Sequence, residues 1–205
     1  MELAKFFQSG GLFMYPILIV LALGLAVAIE RYLYIGKTNS RTIKLWSQLI
    51  PMLKARDYKR AMDLTRGYDT PLALMLNYGL ARHHADAPRE KIESAMEEGM
   101  LEVMPQLEQR THYLATFANI ATLLGLLGTI IGLIQAFTAV AAADPAEKAD
   151  LLSASISVAM NTTAFGLVAA IPLILIHSYL AAKTSRVVDN LEMAVVKCLN
   201  LLDPE

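Results

Sequence analysis

The chain has 205 residues, 55% hydrophobic and 18% charged, with a formal net charge of −1 at pH 7. A soluble domain of this size carries charge on about 25% of its residues. The near-neutral balance points away from nucleic acid as a partner, and the single cysteine, Cys198, has no second thiol to pair with.

The charge is clustered. It leaves three long runs without Asp, Glu, Lys or Arg: Phe6 to Ile29, Thr111 to Ala143 and Leu151 to Ala182. Each exceeds the ~18 residues that mark a candidate membrane helix. The expected fold is an all-α integral membrane protein with three transmembrane helices and long helical extensions. Residues 1–10 read as a tail, 11–32 as span one, 33–110 as a helical region outside the bilayer and 111–140 as span two. Residues 141–150 read as a loop, 151–182 as span three and 183–205 as a C-terminal helix. All but two of the 18 Lys and Arg lie between Arg31 and Arg110 or after Ala182. The positive-inside rule therefore places 33–110 and the C-terminus in the cytoplasm, and the N-terminus and the 141–150 loop outside.

In span one, Ala26-Val27-Ala28 resembles a cleavage site. The start is hardly basic, the apolar run is long and basic residues follow it, so an uncleaved span is expected. Pro16 lies in its first turns, where a missing N–H costs little. Glu30-Arg31-Tyr32 reads as a collar at headgroup level. Gly36 to Ser40 reads as a connector and Arg41 to Arg66 as a helix interrupted at Pro51. Thr70 is the expected N-cap of a helix to about Arg82, with Pro71 at its first position. His83 and His84 then sit in a break that ends at Pro88. Adjacent loop histidines without a third ligand read as solvated side chains, so no metal site is expected.

From Arg89, Ile92, Met96, Met100, Val103 and Leu107 form an apolar stripe at helical spacing. The helix is expected to continue through Arg110 into span two, about 75 Å from Arg89 to Val140, with a bend at Pro105. Span two holds GLLGTIIGLIQAF, Gly125 to Phe137. At 100° per residue Thr122, Gly125, Thr129, Gly132 and Ala136 share a narrow stripe. Span three holds SISVAMNTTAFGLVAAIP, Ser155 to Pro172. There Ser155, Ala159, Thr162, Gly166 and Ala170 share a face, Thr163 lies at its edge, and Pro172 should kink the helix. Gly125, Gly128, Gly132, Gly166 and Pro172 are the expected helix-packing positions. The last amphipathic helix uses Val187, Leu191, Val195, Cys198 and Leu202.

No span holds an Asp, Glu, Lys or Arg in its middle. Hydroxyls can solvate a passing proton or metal cation but cannot store a proton at physiological pH. If ions cross here, the titrating carboxylate comes from another chain. The same hydroxyls can equally act as helix glue, bonded to their own i−4 carbonyls. No nucleophile–base pair, phosphate loop or cofactor motif appears, so an enzyme is not expected.

Three stretches carry a family resemblance. They are AVAIERYLYI (Ala26 to Ile35), the segment from Glu93 to Phe137 that ends in GLLGTIIGLIQAF, and SISVAMNTTAFGLVAAIP. Together they resemble the ExbB/TolQ branch of the MotA/TolQ/ExbB ion-channel family over nearly the whole chain. The resemblance implies a multi-pass protein of the bacterial inner membrane that forms a pentameric ring. That ring encloses two copies of a single-span ExbD/TolR-like partner, whose intramembrane Asp takes up and releases the proton. It further implies an ion-driven motor that transmits work to a TonB/TolA-like envelope protein and so supports transport or envelope maintenance. Thr129 and Thr163 match the family's path-lining threonines by motif position. Thr122, Thr162 and Ser155 are the other expected path residues. Val158 stands where the family usually has Glu, which leaves proton and sodium both open as the coupling ion. Thr122 stands where the family usually has Pro. Without its partner, a ring with a mostly apolar lumen could hold lipids. The rival readings are a membrane scaffold without ion conduction and a stator-like subunit of another motor.

Overall fold

Helix propensity and apolar spacing carry the backbone through long stretches, and the interruptions are short. The computed structural model describes residues 10–202. Its elements are α1 (Met14–Lys54), α2 (Tyr58–Arg66), α3 (Pro71–His84), α4 (Arg89–Glu108), α5 (Thr111–Ala142) and α6 (Lys148–Leu202). Residues 1–9 of the expected tail and 203–205 of the expected C-terminal helix lie outside the described residues.

Three helical stretches are long and apolar enough to cross a membrane: Met14–Lys54, Arg89–Ala142 and Lys148–Leu202. Only 22–28% of the most apolar window of each is buried inside the chain, so most of that surface faces outward. In water such exposure would be costly, at about 25 cal/mol per Å². Lipid tails or further helices cover it without that cost. The chain is an all-α membrane protein.

Several boundaries differ from the sequence reading. The expected connector from Gly36 to Ser40 is helical, and α1 runs through it and through Pro51 to Lys54. The break comes instead at residues 55–57, where Arg56 has φ +58° and Asp57 caps α2, accepting from the Arg60 N–H at 3.2 Å. The helix from Arg89 does not continue into span two. It stops at Glu108, past Pro105, and Arg110 adopts a left-handed φ of +66° before α5 begins. Span three and the C-terminal helix are one element, and α6 continues through Pro172. His83 and His84 end α3, with His83 packed edge-on against Tyr58.

The contacts divide the chain into two units. The span unit comprises Met1–Glu30 and Arg110–Tyr179, and the extension unit comprises Arg31–Gln109 and Leu180–Glu205. In the extension unit, Thr70 caps α3 as expected, accepting from the Ala73 N–H at 3.2 Å, and Pro71 occupies the first position. The stripe on α4 is buried at Ile92, Met96, Val103 and Leu107. It packs on α3 through two glycines: a Cβ on Gly99 would lie 2.9 Å from Met75 Cα, and one on Gly79 would overlap Met96.

Arg31 is 2% exposed, and its guanidinium donates to the backbone carbonyls of Gln106 and Leu107 while lying over the Tyr34 ring. Those carbonyls are at the C-terminus of α4, the negative end of its dipole, which suits a buried cation. The collar reading of Arg31 missed this role, because its partners lie about 76 residues away.

Cys198 is buried on α6, and burial pushes its thiol up to about 12. At pH 8 that leaves roughly one thiolate in ten thousand. The native chain should therefore resist maleimide and label fully once unfolded in denaturant. The folded thiol holds its proton more tightly than the unfolded one. Its contribution to stability is present below the unfolded value of about 8.5 and declines as pH rises above it. Rapid labelling of the folded protein would contradict this placement.

Candidate functional site

Within the span unit, α5 and α6 meet along small residues. The buried face of α5 is Leu114, Ala118, Ala121, Gly125, Gly128 and Ala136. The buried face of α6 includes Ala159, Thr162, Gly166, Ala169 and Ala170. The closest approach is at Gly166, where a Cβ would lie 2.8 Å from the Ala121 carbonyl oxygen and 3.0 Å from Gly125 Cα. A Cβ on Gly125 would lie 3.2 Å from Thr163 Cα, and one on Gly132 3.0 Å from Ala159 Cβ. A Cβ on Gly128 would run into the Thr162 side chain at 2.4 Å. α1 joins through Gly24, which faces Leu173, the neighbour of the exposed Pro172.

The seam keeps Gly125, Gly132 and Ala136 of the stripe read off the sequence but takes Ala121 and Gly128 in place of Thr122 and Thr129. Ala121 and Gly128 lie in it, while Thr122 is exposed and donates to its own i−4 carbonyl, Ala118, at 3.1 Å. Thr129 lies at the seam's edge, half-buried, and donates to the Leu126 carbonyl at 2.6 Å. Thr163 makes the bond that joins the helices: its hydroxyl donates to the Gly125 carbonyl of α5 at 2.8 Å. Thr162 is 2% exposed and is set between the Gly10 carbonyl at 2.5 Å and the Val158 carbonyl at 3.0 Å. Ser155 is half-buried on α6, and Val158 is exposed beside Gly11. Thr163 and Gly125 are thus brought together, whereas Thr122 faces away from the seam. The Gly10 contact could not be read from sequence, since it spans 152 residues.

Chemically the arrangement is simple. Each of these threonines has one hydroxyl proton, and for Thr129 and Thr163 it is engaged with a backbone carbonyl. What remains on each oxygen is acceptor capacity, which suits a cation rather than an anion. No Asp, Glu, Lys or Arg lies between Thr111 and Ala143 or between Leu151 and Ala182.

A bundle of apolar helices packed through glycine, with hydroxyls as its internal polar groups, defines a multi-pass helical membrane protein. The profile of the MotA/TolQ/ExbB proton channel family matches residues 68–193. The chain belongs to that family, on its ExbB branch. It is 28% identical over 191 residues to a putative biopolymer transport protein ExbB homolog of Methanothermobacter thermautotrophicus, covering 92% of this chain and 66% of the relative. It is 28% identical over 194 residues to biopolymer transport protein exbB1 of Vibrio cholerae, covering 90% of this chain and 82% of that one. The Tol-Pal system protein TolQ of Haemophilus influenzae is 32% identical over 111 residues, 53% of this chain and 48% of its own.

The glycine contacts predict a sharp contrast between sites. Gly166→Ala should destabilise the span unit by about 1–3 kcal/mol, because backbone cannot move aside as a flexible side chain can. Gly36→Ala lies in a helix with only Lys183 Nζ nearby, at 3.8 Å, and should be neutral or stabilising by roughly 0.5–1 kcal/mol. Thermal unfolding of both variants in the same detergent checks the order.

Proposed function

We propose that this chain is the ring subunit of an ion-driven motor in the bacterial inner membrane. Its N-terminus faces the periplasm and its C-terminus the cytoplasm. Five copies surround a single-span ExbD/TolR-like partner, and an Asp in that partner's span carries the proton. Thr129 and Thr163 line the path, with Thr122, Thr162 and Ser155 adding polarity along it. The work passes to a TonB/TolA-like envelope protein. One charge crossing 100 mV releases about 2.3 kcal/mol, enough to bias a conformational step.

The observation that carries this reading is the pair Thr129 and Thr163. Both hydroxyl protons are engaged with carbonyls, and the oxygens are left as acceptors in spans without a titratable carboxylate. Such a wall can pass a cation along but needs a proton carrier from elsewhere. Val158, in place of the family's usual Glu, removes one titratable group and keeps sodium open as the coupling ion. The inter-helix bond from Thr163 to Gly125 favours a second reading, a scaffold in which the hydroxyls only hold helices together.

Thr129→Val and Thr163→Val should each abolish energy transduction while the chain still co-purifies with its single-span partner at unchanged stoichiometry. Thr163→Ser should retain activity. Native mass spectrometry of the complexes and a partner-dependent uptake assay separate the two readings. Full activity in either valine variant would sink the ion-path role, and loss of assembly in Thr163→Val would favour the scaffold.

A further inference from the structure

The extension unit contains a cavity of about 490 Å³ that the ion path does not use. Lys37 and Arg41 line it from α1, one helical turn apart and so on the same face. Asp69, in the turn before α3, and Glu102, on α4, line it as well. Two cations and two carboxylates therefore share one cavity, yet neither cation lies within 4.0 Å of either carboxylate. Glu102 is oriented by Tyr78, whose hydroxyl donates to it at 2.8 Å. That bond and the Glu102 charge hold the Tyr78 phenol above its ordinary range, so it remains a donor.

Thr38 adds an independent observation. It is 7% exposed, lines the same cavity and makes no hydrogen bond with any described residue. Its oxygen is not among the unpaired atoms sealed from solvent, so it keeps some access. Burying a hydroxyl without a partner is unfavourable, and an occupant with an acceptor or donor at that point relieves it.

An anion alone would meet Lys37 and Arg41 but also Asp69 and Glu102, and a cation alone faces the converse. A ligand carrying both signs satisfies both sets. Arg offers a planar fork and Lys a compact point charge, a combination that suits the several oxygens of a phosphate. The carboxylates suit an ammonium. The volume fits a small polar molecule. Lys37 follows Arg31 by about 9 Å of helix, just beyond the charge-free run, so both headgroups and soluble esters lie within reach.

We propose that this cavity binds a phosphoethanolamine-type zwitterion, with the phosphate on Lys37, Arg41 and Thr38 and the ammonium on Glu102 and Asp69. The source is either a lipid headgroup or a soluble phosphate ester of an amino alcohol. In one arm, the full chain in phospholipid-free detergent is titrated calorimetrically with glycerophosphoethanolamine, and in parallel with glycerol phosphate. The zwitterion should bind saturably and more tightly than the anion. The Lys37→Ala/Arg41→Ala double variant should weaken it roughly tenfold or more. Glu102→Gln should erase the preference for the zwitterion while leaving glycerol phosphate binding intact, a change in selectivity that a purely structural role would not produce. In the second arm, nanodiscs of mixed phosphatidylethanolamine and phosphatidylglycerol are examined by native mass spectrometry. Retention of the ethanolamine lipid, lost in the double variant, assigns the headgroup as source. Binding of the soluble ester without lipid preference assigns the free ester. Equal affinity of the native chain for glycerol phosphate and the zwitterion overturns the proposal. So does the absence of saturable binding in both arms.

Discussion

Glycine at the α5–α6 seam is the constraint on which the span unit depends. In hydrocarbon, apolar surface gains nothing by leaving lipid for another helix, so association rests on close packing and inter-helix hydrogen bonds. Both require the backbones to approach. At Gly166 the Ala121 carbonyl oxygen lies only 2.8 Å from the point where any other residue would place its Cβ. With the helices this close, the Thr163 hydroxyl reaches the Gly125 carbonyl, and Thr162 fits over Gly128 and against the Gly10 carbonyl. The hydroxyl positions follow from the glycines.

That packing also shapes the chemistry. Threonines whose protons are held by backbone carbonyls present oxygen lone pairs in a low-dielectric setting, where acceptors attract cations strongly. Hydroxyls cannot titrate at physiological pH, and these spans contain no carboxylate. The outward-facing apolar surface is one that lipid tails or further helices cover. In the extension unit the polar logic is different. Arg31 is buried as a charge and is compensated by the carbonyl end of α4 and the Tyr34 ring, a pairing of side chain with helix dipole.

Much of the fold was legible where the signal is local. The Thr70–Pro71 start of α3 needs only one hydroxyl and one ring, and it stands as read. The Ile92–Leu107 stripe follows from spacing alone, with Met100 half-buried at its edge. Local signals failed where helix propagation outweighed a breaker. Gly36 and Pro51 read as interruptions, yet α1 continues through both. One glycine costs only about 1 kcal/mol in a helix, and packing on neighbours offsets it. The break at Gln109–Arg110 left no such mark, since neither residue favours a turn and Arg110 takes a left-handed φ that side chains rarely adopt. The stripe on span two shares Gly125, Gly132 and Ala136 with the seam but took Thr122 and Thr129 where the seam has Ala121 and Gly128. Periodicity locates a band of small residues, but both Thr122 and Ala121 are small enough to belong to it.

By itself the sequence determined that this is a three-span helical membrane protein, that its spans lack a central charge, and which small and hydroxyl-bearing residues they contain. Composition and period suffice for that, because the bilayer admits few solutions and demands internally satisfied helices. The tertiary structure decided which residues meet: Gly166 on the Ala121 carbonyl, Thr163 on Gly125, Arg31 on the end of α4, and Lys37, Arg41, Asp69 and Glu102 around one cavity. Such meetings depend on helix rotation and on partners tens to more than a hundred residues away, and no local pattern encodes either.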